Sequence, residues 1–222
     1  MKISRVRLAL RILGILLILA SIAIYAKSAL TDFYTNAKQR QLHIEWKKEQ
    51  EQSKKKQAKK MASAHKTNTS KEVATTTETA QVQHEPVPKG KPFARLVIPK
   101  IKLDVIVLQG TDEDILALGP GHMEDTEEPG EIGNVVISGH RVTYSHPFYY
   151  LNELQKGDVI YLYAKRRKFT YYVTEQKVVS PNDVSAIQAT KDRTLTLTTC
   201  NPRYSAATRL IVIAKCKDKI AP

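Results

Sequence analysis

Apolar and polar positions divide the chain into stretches of different texture. From Leu8 to Ala26 the run "LALRILGILLILASIAIYA" is apolar on every side and broken only by Arg11. Nineteen such residues leave no face for water, so the run is expected to cross a bilayer as a slightly tilted helix. Residues 27–61 are dominated by Lys, Gln and Glu, and Phe33, Leu42, Ile44 and Trp46 form no sustained apolar stripe. They are expected to form a charged juxtamembrane stalk that extends the helix outward for part of its length. Residues 62–91, including "SKEVATTTETAQVQHEPVPKGK", contain too little apolar surface to offset the entropy of ordering and are expected as a disordered linker.

A period of two begins at Pro92. The runs "ARLVIPKI", "LDVIVLQG", "NVVISGH", "DVIYLYA", "FTYYVTEQKVV", "TLTLTTC" and "RLIVIAKC" are rich in β-branched and aromatic residues and are separated by turn signals. Seven or more strands in the domain 92–217 suit an antiparallel sandwich or a closed barrel, and a five-residue tail, 218–222, follows. "TDEDILAL" predicts one short helix with an acidic first turn, stopped by Gly119 and Pro120, and "NDVSAI" another single turn. No long helical pattern alternates with the strands, which argues against a parallel α/β fold.

Charge orients this plan. Lys2, Arg5, Arg7 and Arg11 precede or open the apolar run, so the N-terminal residues 1–7 are expected in the cytoplasm and everything after Lys27 outside the cell. A cleaved signal peptide is the competing reading, but "SIAIYAKSA" is a mediocre cleavage site and the apolar core is long for one. The formal net charge of +13 raises the question of nucleic acid. Its distribution answers that question: residues 1–30 carry +5, residues 31–91 carry +6, and residues 92–222 only +2. The charge sits in the segment after the membrane run, where "KKKQAKK" (Lys54–Lys60) reads as a solvated charged stalk that could meet anionic lipid or wall polymer, and no nucleic-acid partner is expected. "KRRK" (Lys165–Lys168) falls between two strands and reads as an exposed turn.

Chemistry enters with the two cysteines. In a strand from Thr194 to Cys200, Leu195 and Leu197 share one face while Thr194, Thr196, Thr198 and Cys200 share the other. If the leucines enter the core, Cys200 meets solvent or a groove. Cys216 alternates with Leu210, Val212 and Ala214 and reads as an inert structural thiol. A disulfide between the two remains open for an exported protein. A cysteine nucleophile needs a base and a donor for the developing oxyanion. Among the domain's histidines His122, His140 and His146, His140 follows a strand directly, beside Gly139.

Taken together, Thr196-Leu197-Thr198-Thr199-Cys200, the upstream Gly139-His140 and the downstream Arg209 of "RLIVIA" resemble the TLxTC, GH and arginine signatures of sortases, the membrane-anchored cysteine transpeptidases of mainly Gram-positive bacteria. The resemblance covers residues 92–217 and implies an eight-stranded β-barrel. It further implies that Cys200 attacks the Thr–Gly carbonyl of a C-terminal sorting signal on a surface protein, forming a thioester that a cell-wall precursor amine resolves. His140 would act as acid and base, and Arg209 would bind the substrate backbone or the oxyanion. Thr198, Thr199, Tyr144 and Asn201 flank these motifs and are expected at the substrate groove, with Thr199 either assisting the oxyanion or packing. Arg203, in the "NPRY" turn, is the rival cation and is expected on the loop surface.

"GHRVTYSHPF" and "TTCNPRYSAATRLIV" resemble class E most, with class D next; Ser145, His146 and Asn201 depart from the class E pattern. Class E implies a Leu-Ala-x-Thr-Gly signal rather than Leu-Pro-x-Thr-Gly, and housekeeping anchoring. The acidic "EDTEEPGE" lacks the regular ligand spacing of a calcium loop and reads as solvated; no cofactor, calcium or zinc site is expected. The alternative is a non-catalytic, membrane-tethered β-domain that binds wall components.

Overall fold

The computed structural model describes residues 2–64, 87–164 and 166–217. Most of the expected linker (65–86), Lys165 of the basic turn and the tail 218–222 lie outside the described residues.

The apolar run and the charged stretch after it form one helix, α1 (Lys2–Ala64). It is long and apolar enough to cross a membrane, and its large apolar side chains from Leu10 to Tyr25 are exposed. Farther along, Thr35, Gln39, Leu42 and Trp46 recur at intervals of four, three and four and are all buried against the rest of the chain. This contact differs from the expectation of a stalk without an apolar face. Two apolar side chains suffice because an amide joins them: Gln39 Nε2 donates to the carbonyls of Ile106 (3.2 Å) and Leu118 (2.8 Å), while Oε1 accepts from the Ile106 amide (3.0 Å). Gln39 thus satisfies a buried stretch of strand backbone as a neighbouring strand would.

After α1 come β1 (Pro92–Ile98), β2 (Leu103–Gln109), a one-turn helix α2 (Glu113–Leu116), β3 (Gly121–His122), β4 (Gly133–Ser138), β5 (Val159–Ala164), β6 (Arg167–Val179), β7 (Arg193–Asn201) and β8 (Thr208–Cys216). They close a barrel in the order β1-β2-β3-β4-β7-β8-β6-β5, with β5 returning to β1. The expected short helix at 111–118 is α2, and Val184–Ala186 forms the second expected turn. The expected antiparallel plan needs correction in two places, because β2–β3 and β4–β7 are parallel. The two-residue β3 was not among the expected strands, being too short to show a period.

Period-two alternation fills the barrel. Ala94, Leu96 and Ile98 of β1, Ile160 and Leu162 of β5, Tyr171 of β6, Leu195 and Leu197 of β7, and Val212 and Ala214 of β8 all enter one core. β2 is apolar on both faces because both are covered: Val107 enters the barrel, whereas Ile106 and Leu108 pack outward with Leu42, Trp46 and Ile115. Phe148, Leu151 and Leu154 anchor the long loop after β4 to the barrel core. That loop carries His140.

Candidate active site

The register of two parallel strands brings the two motifs together. Ser138 of β4 faces Thr198 of β7, and the Gly139 amide donates to the Thr198 carbonyl at 3.1 Å. His140 and Cys200 each stand two residues beyond this matched pair. Both line a cavity of about 360 Å³ whose far wall is Tyr204, Ser205 and Ala206.

Inward leucines place Cys200 as alternation requires. Leu195 and Leu197 are fully buried in the barrel, and Cys200, on the opposite face, is half-buried at the cavity. The outer threonines Thr194 and Thr196 are buried as well: Thr190 Oγ1 donates to Thr194 Oγ1, and Thr196 Oγ1 donates to Asn134 Oδ1, so the 180–192 segment and β4 cover them. Only the end of β7 opens onto the groove. Cys216 lies half-buried against the barrel core, seven residues along β8 from Arg209, the cross-strand partner of Cys200. At about 3.3 Å per residue the two cysteines are roughly 23 Å apart along the ladder. A disulfide is therefore impossible, and neither cysteine forms one.

His140 is held by backbone. A Cβ at Gly139 would come within 2.7 Å of the Phe148 ring, so only glycine lets the loop turn this close to its anchor. The Phe148 amide donates to the His140 carbonyl at 3.1 Å. Burial holds the imidazole below its ordinary value of 6.5, opposed by the charge of Glu113, so the neutral form is favoured. Its Nε2 is buried and makes no hydrogen bond within the protein. The Tyr144 ring lies 5.0 Å from the imidazole. Tyr144, Ser145 and His146 all have left-handed backbones (φ 52°, 60° and 40°), a costly run without glycine. The Ser145 amide is capped by the Asp32 carboxylate of α1 at 3.1 Å, and the His146 amide by the Thr143 carbonyl at 2.9 Å. A crevice of about 300 Å³ separates Ile24–Asp32 of α1 from Val142–Tyr144. The histidine loop thus abuts α1 where the apolar run ends.

The remaining expected residues take different places. Arg209 stands opposite Cys200, and its Nη1 donates to the carbonyls of Ala206 (3.0 Å) and Thr208 (3.2 Å). Thr199 faces inward, and its buried hydroxyl donates to the Gly139 carbonyl at 2.7 Å, tying β7 to the turn before His140. Thr198 supplies the carbonyl that the Gly139 amide meets. Asn201 donates to Thr208 Oγ1 at 3.0 Å. Arg203 turns away, over the Tyr149 ring (4.1 Å) and onto the Tyr149 carbonyl, as a loop residue. His146 packs edge-on against Tyr149 and does not line the cavity that holds His140 and Cys200. In the acidic loop, Glu127 accepts from the Asn134 amide at 2.8 Å, and among the described residues no three His, Cys, Asp or Glu side chains cluster as metal ligands.

Sequence reasoning assigned no role to Arg141, which lines the same cavity and reaches the Cys200 carbonyl. Its position directly after the histidine was the available signal.

A sortase domain family model matches residues 96–217. The chain is 40% identical over 114 residues to Sortase D of Bacillus subtilis (strain 168), a match that covers 51% of this chain and 56% of that protein. It is 33% identical over 142 residues to Sortase SrtE1 of Streptomyces coelicolor, covering 57% of this chain and 40% of that one. The chain spans about half the length of these curated relatives. Among solved structures, a Clostridium perfringens Sortase D5 transpeptidase superposes with a TM-score of 0.56 at 32% identity, covering 60% of this chain and 83% of that one. A sortase E mutant from Streptomyces avermitilis gives 0.54 at 34% identity, with 59% and 91% covered.

Proposed function

The chain belongs to the sortase family, and from that premise we propose that it is a membrane-anchored cysteine transpeptidase acting through Cys200, His140 and Arg209. The carrying observation is the parallel β4–β7 register, which delivers His140 and Cys200 to one cavity. Cys200 attacks the Thr–Gly carbonyl of a Leu-Ala-x-Thr-Gly or Leu-Pro-x-Thr-Gly signal as a thiolate, while His140 holds the thiol proton. Collapse of the tetrahedral intermediate breaks the C–N bond, and His140 gives its proton to the departing glycine amine. The acyl group stays on sulfur as a thioester. An amine of a cell-wall precursor then attacks, His140 takes its proton, and the thiol leaves.

Arg209 shares the strand-pair position of Cys200, so its guanidinium reaches the oxyanion or the substrate backbone once it leaves the Ala206 and Thr208 carbonyls. Thr198 and Thr199 act through Gly139, one by its carbonyl and one by its hydroxyl, to hold the turn before His140. Tyr144 shields the imidazole, and Asn201 steadies the strand ends. With basic residues at the start of α1 inside the cell, the barrel lies outside, its histidine loop close to the bilayer surface where anchored substrates arrive.

The test is incubation of the full chain in detergent micelles with each sorting-signal peptide and a glycine-based amine. A peptide joined to the amine supports transpeptidation. Binding without any bond exchange supports the non-catalytic reading instead.

A further inference from the structure

Arg141 is 5% exposed and has no carboxylate partner among the described residues. Its Nη1 donates to the Cys200 carbonyl (3.2 Å) and to Asn201 Oδ1 (3.1 Å), and its Nη2 donates to Asn152 Oδ1 (2.9 Å). Its Nε is buried and makes no hydrogen bond. Asn152 Oδ1 accepts a second cation as well, Arg203 Nη2 at 3.1 Å. Two guanidinium groups therefore meet on one neutral oxygen beside the nucleophile. A buried cation without an anion is costly, and the protein does not retain one cheaply for packing.

Burial, with Arg203 beside it, works against the charged form of Arg141, yet the guanidinium lines the cavity that holds Cys200 and is held there by its three acceptors. Asn201 extends the brace, since its amide accepts from Arg141 and donates to Thr208, the residue before Arg209. One guanidinium thus spans the histidine loop, the end of β7 and, through Asn201, the start of β8.

We propose that Arg141 is a positioning residue: its guanidinium ties the Cys200 carbonyl, Asn201 and Asn152 together and so fixes the backbone of Cys200 against the histidine loop. This rests on the reading of Cys200 as nucleophile. The groups facing that thiol and its brace are His140 and Arg141 on the loop, Tyr149 and Arg203 behind them, Tyr204 on the far wall of the cavity and Arg209 across the strand pair, with Glu113 acting on His140. Arg141 and Arg209 have separate tasks. Arg141 is locked by three protein acceptors, whereas Arg209 rests on the carbonyl of Ala206 and on that of its own neighbour Thr208.

The test is kcat and KM for joining a sorting-signal peptide to an amine, measured on the full chain in detergent, with calorimetry of the same samples. Transfer by wild type tests the transpeptidase reading and the variant-to-wild-type ratio tests this inference, so the two failures are distinguishable. Arg141→Gln is expected to lower kcat by about tenfold or more at little-changed KM, because a nucleophile displaced by a fraction of an ångström loses its reacting geometry. Arg141→Lys is expected to recover little of that loss, because one ammonium cannot bridge three acceptors. Asn152→Ala, which removes one anchor of the brace, is expected to lower kcat in the same direction by less. Wild-type kcat in folded Arg141→Gln, or full transfer by Arg141→Lys, overturns the proposal. If Arg141→Gln does not fold, wild-type kcat in Asn152→Ala overturns it.

Discussion

Cys200 of β7 and Arg209 of β8 stand directly opposite each other in the antiparallel ladder. Opposed residues share a face of the sheet, so the thiol and the guanidinium emerge on the same side of the barrel wall although nine positions separate them in the chain. Arg209→Lys keeps the charge on that face and loses the paired planar donors. Its kcat/KM for transpeptidation is expected to fall by about tenfold or more at unchanged thermal stability. Steady-state assays with calorimetry of the same samples check this.

His140→Asn is expected to lower kcat/KM by at least about 10²-fold, the lower bound for a positioned acid–base group. Burial disfavours the imidazolium that must hand its proton to the leaving amine. The wild-type pH–rate profile is therefore expected to be bell-shaped, its limbs belonging to the coupled pair. In His140→Asn the remaining activity should instead rise with pH alone, following thiol ionisation. A surviving bell would direct attention to His146.

His122 yields a stability prediction of known sign. It is 1% exposed and stacked on Phe93 at 3.9 Å, with Nδ1 3.0 Å from the Gln109 side-chain amide and Nε2 3.1 Å from the Glu127 carbonyl; burial holds it below its ordinary value of 6.5, opposed by the Glu127 hydrogen bond and the charges of Glu128 and Glu124. Below 6.5 the unfolded chain binds this proton while the folded chain does not, so stability falls as pH drops from 6.5 toward the folded value and then levels off. His140 contributes in the same direction. His122→Gln is expected to lessen the loss between pH 7.5 and 5.5 relative to wild type, as read by urea unfolding at each pH.

Much of this arrangement was legible in the sequence, because strand alternation is local. The inward Leu195 and Leu197 fix the outward face of Cys200 without further information. The motif order Gly139-His140, Cys200, Arg209 supplied the same three residues that the register brings to one end of the barrel. Parallel pairing of β4 with β7 was not legible, since alternation says nothing about which strand lies alongside which. Nor was the docking of α1. Leu42 and Trp46 are too few for an apolar stripe, and the contact depends on Gln39, whose partners lie 67 and 79 residues away. Arg141 escaped notice because a buried arginine without a carboxylate carries no pattern of its own.

That docking has a measurable consequence. Val87 packs on the core, and Gly90 and Lys91 exchange backbone hydrogen bonds with Gln109, so the folded unit reaches back to 87. A fragment starting at 87 is expected to unfold cooperatively but at lower temperature than the full chain, because Ile106, Leu108 and Ile115 lose the cover of Leu42 and Trp46. Trp46→Ala in the full chain is expected to cost roughly 2–3 kcal/mol at that contact. Differential scanning calorimetry compares all three.

The most direct measurement is the mass of the protein itself. Mixing the full chain with a sorting-signal peptide in the absence of amine, then quenching in acid, captures any acyl-enzyme for intact mass and peptide mapping. The acyl fragment N-terminal to the scissile Thr–Gly bond is predicted on Cys200 in wild type and in Cys216→Ala. It is predicted to be absent in Cys200→Ala and released on adding the amine. An adduct that persists in Cys200→Ala, or transfer to the amine with that cysteine removed, would contradict the account.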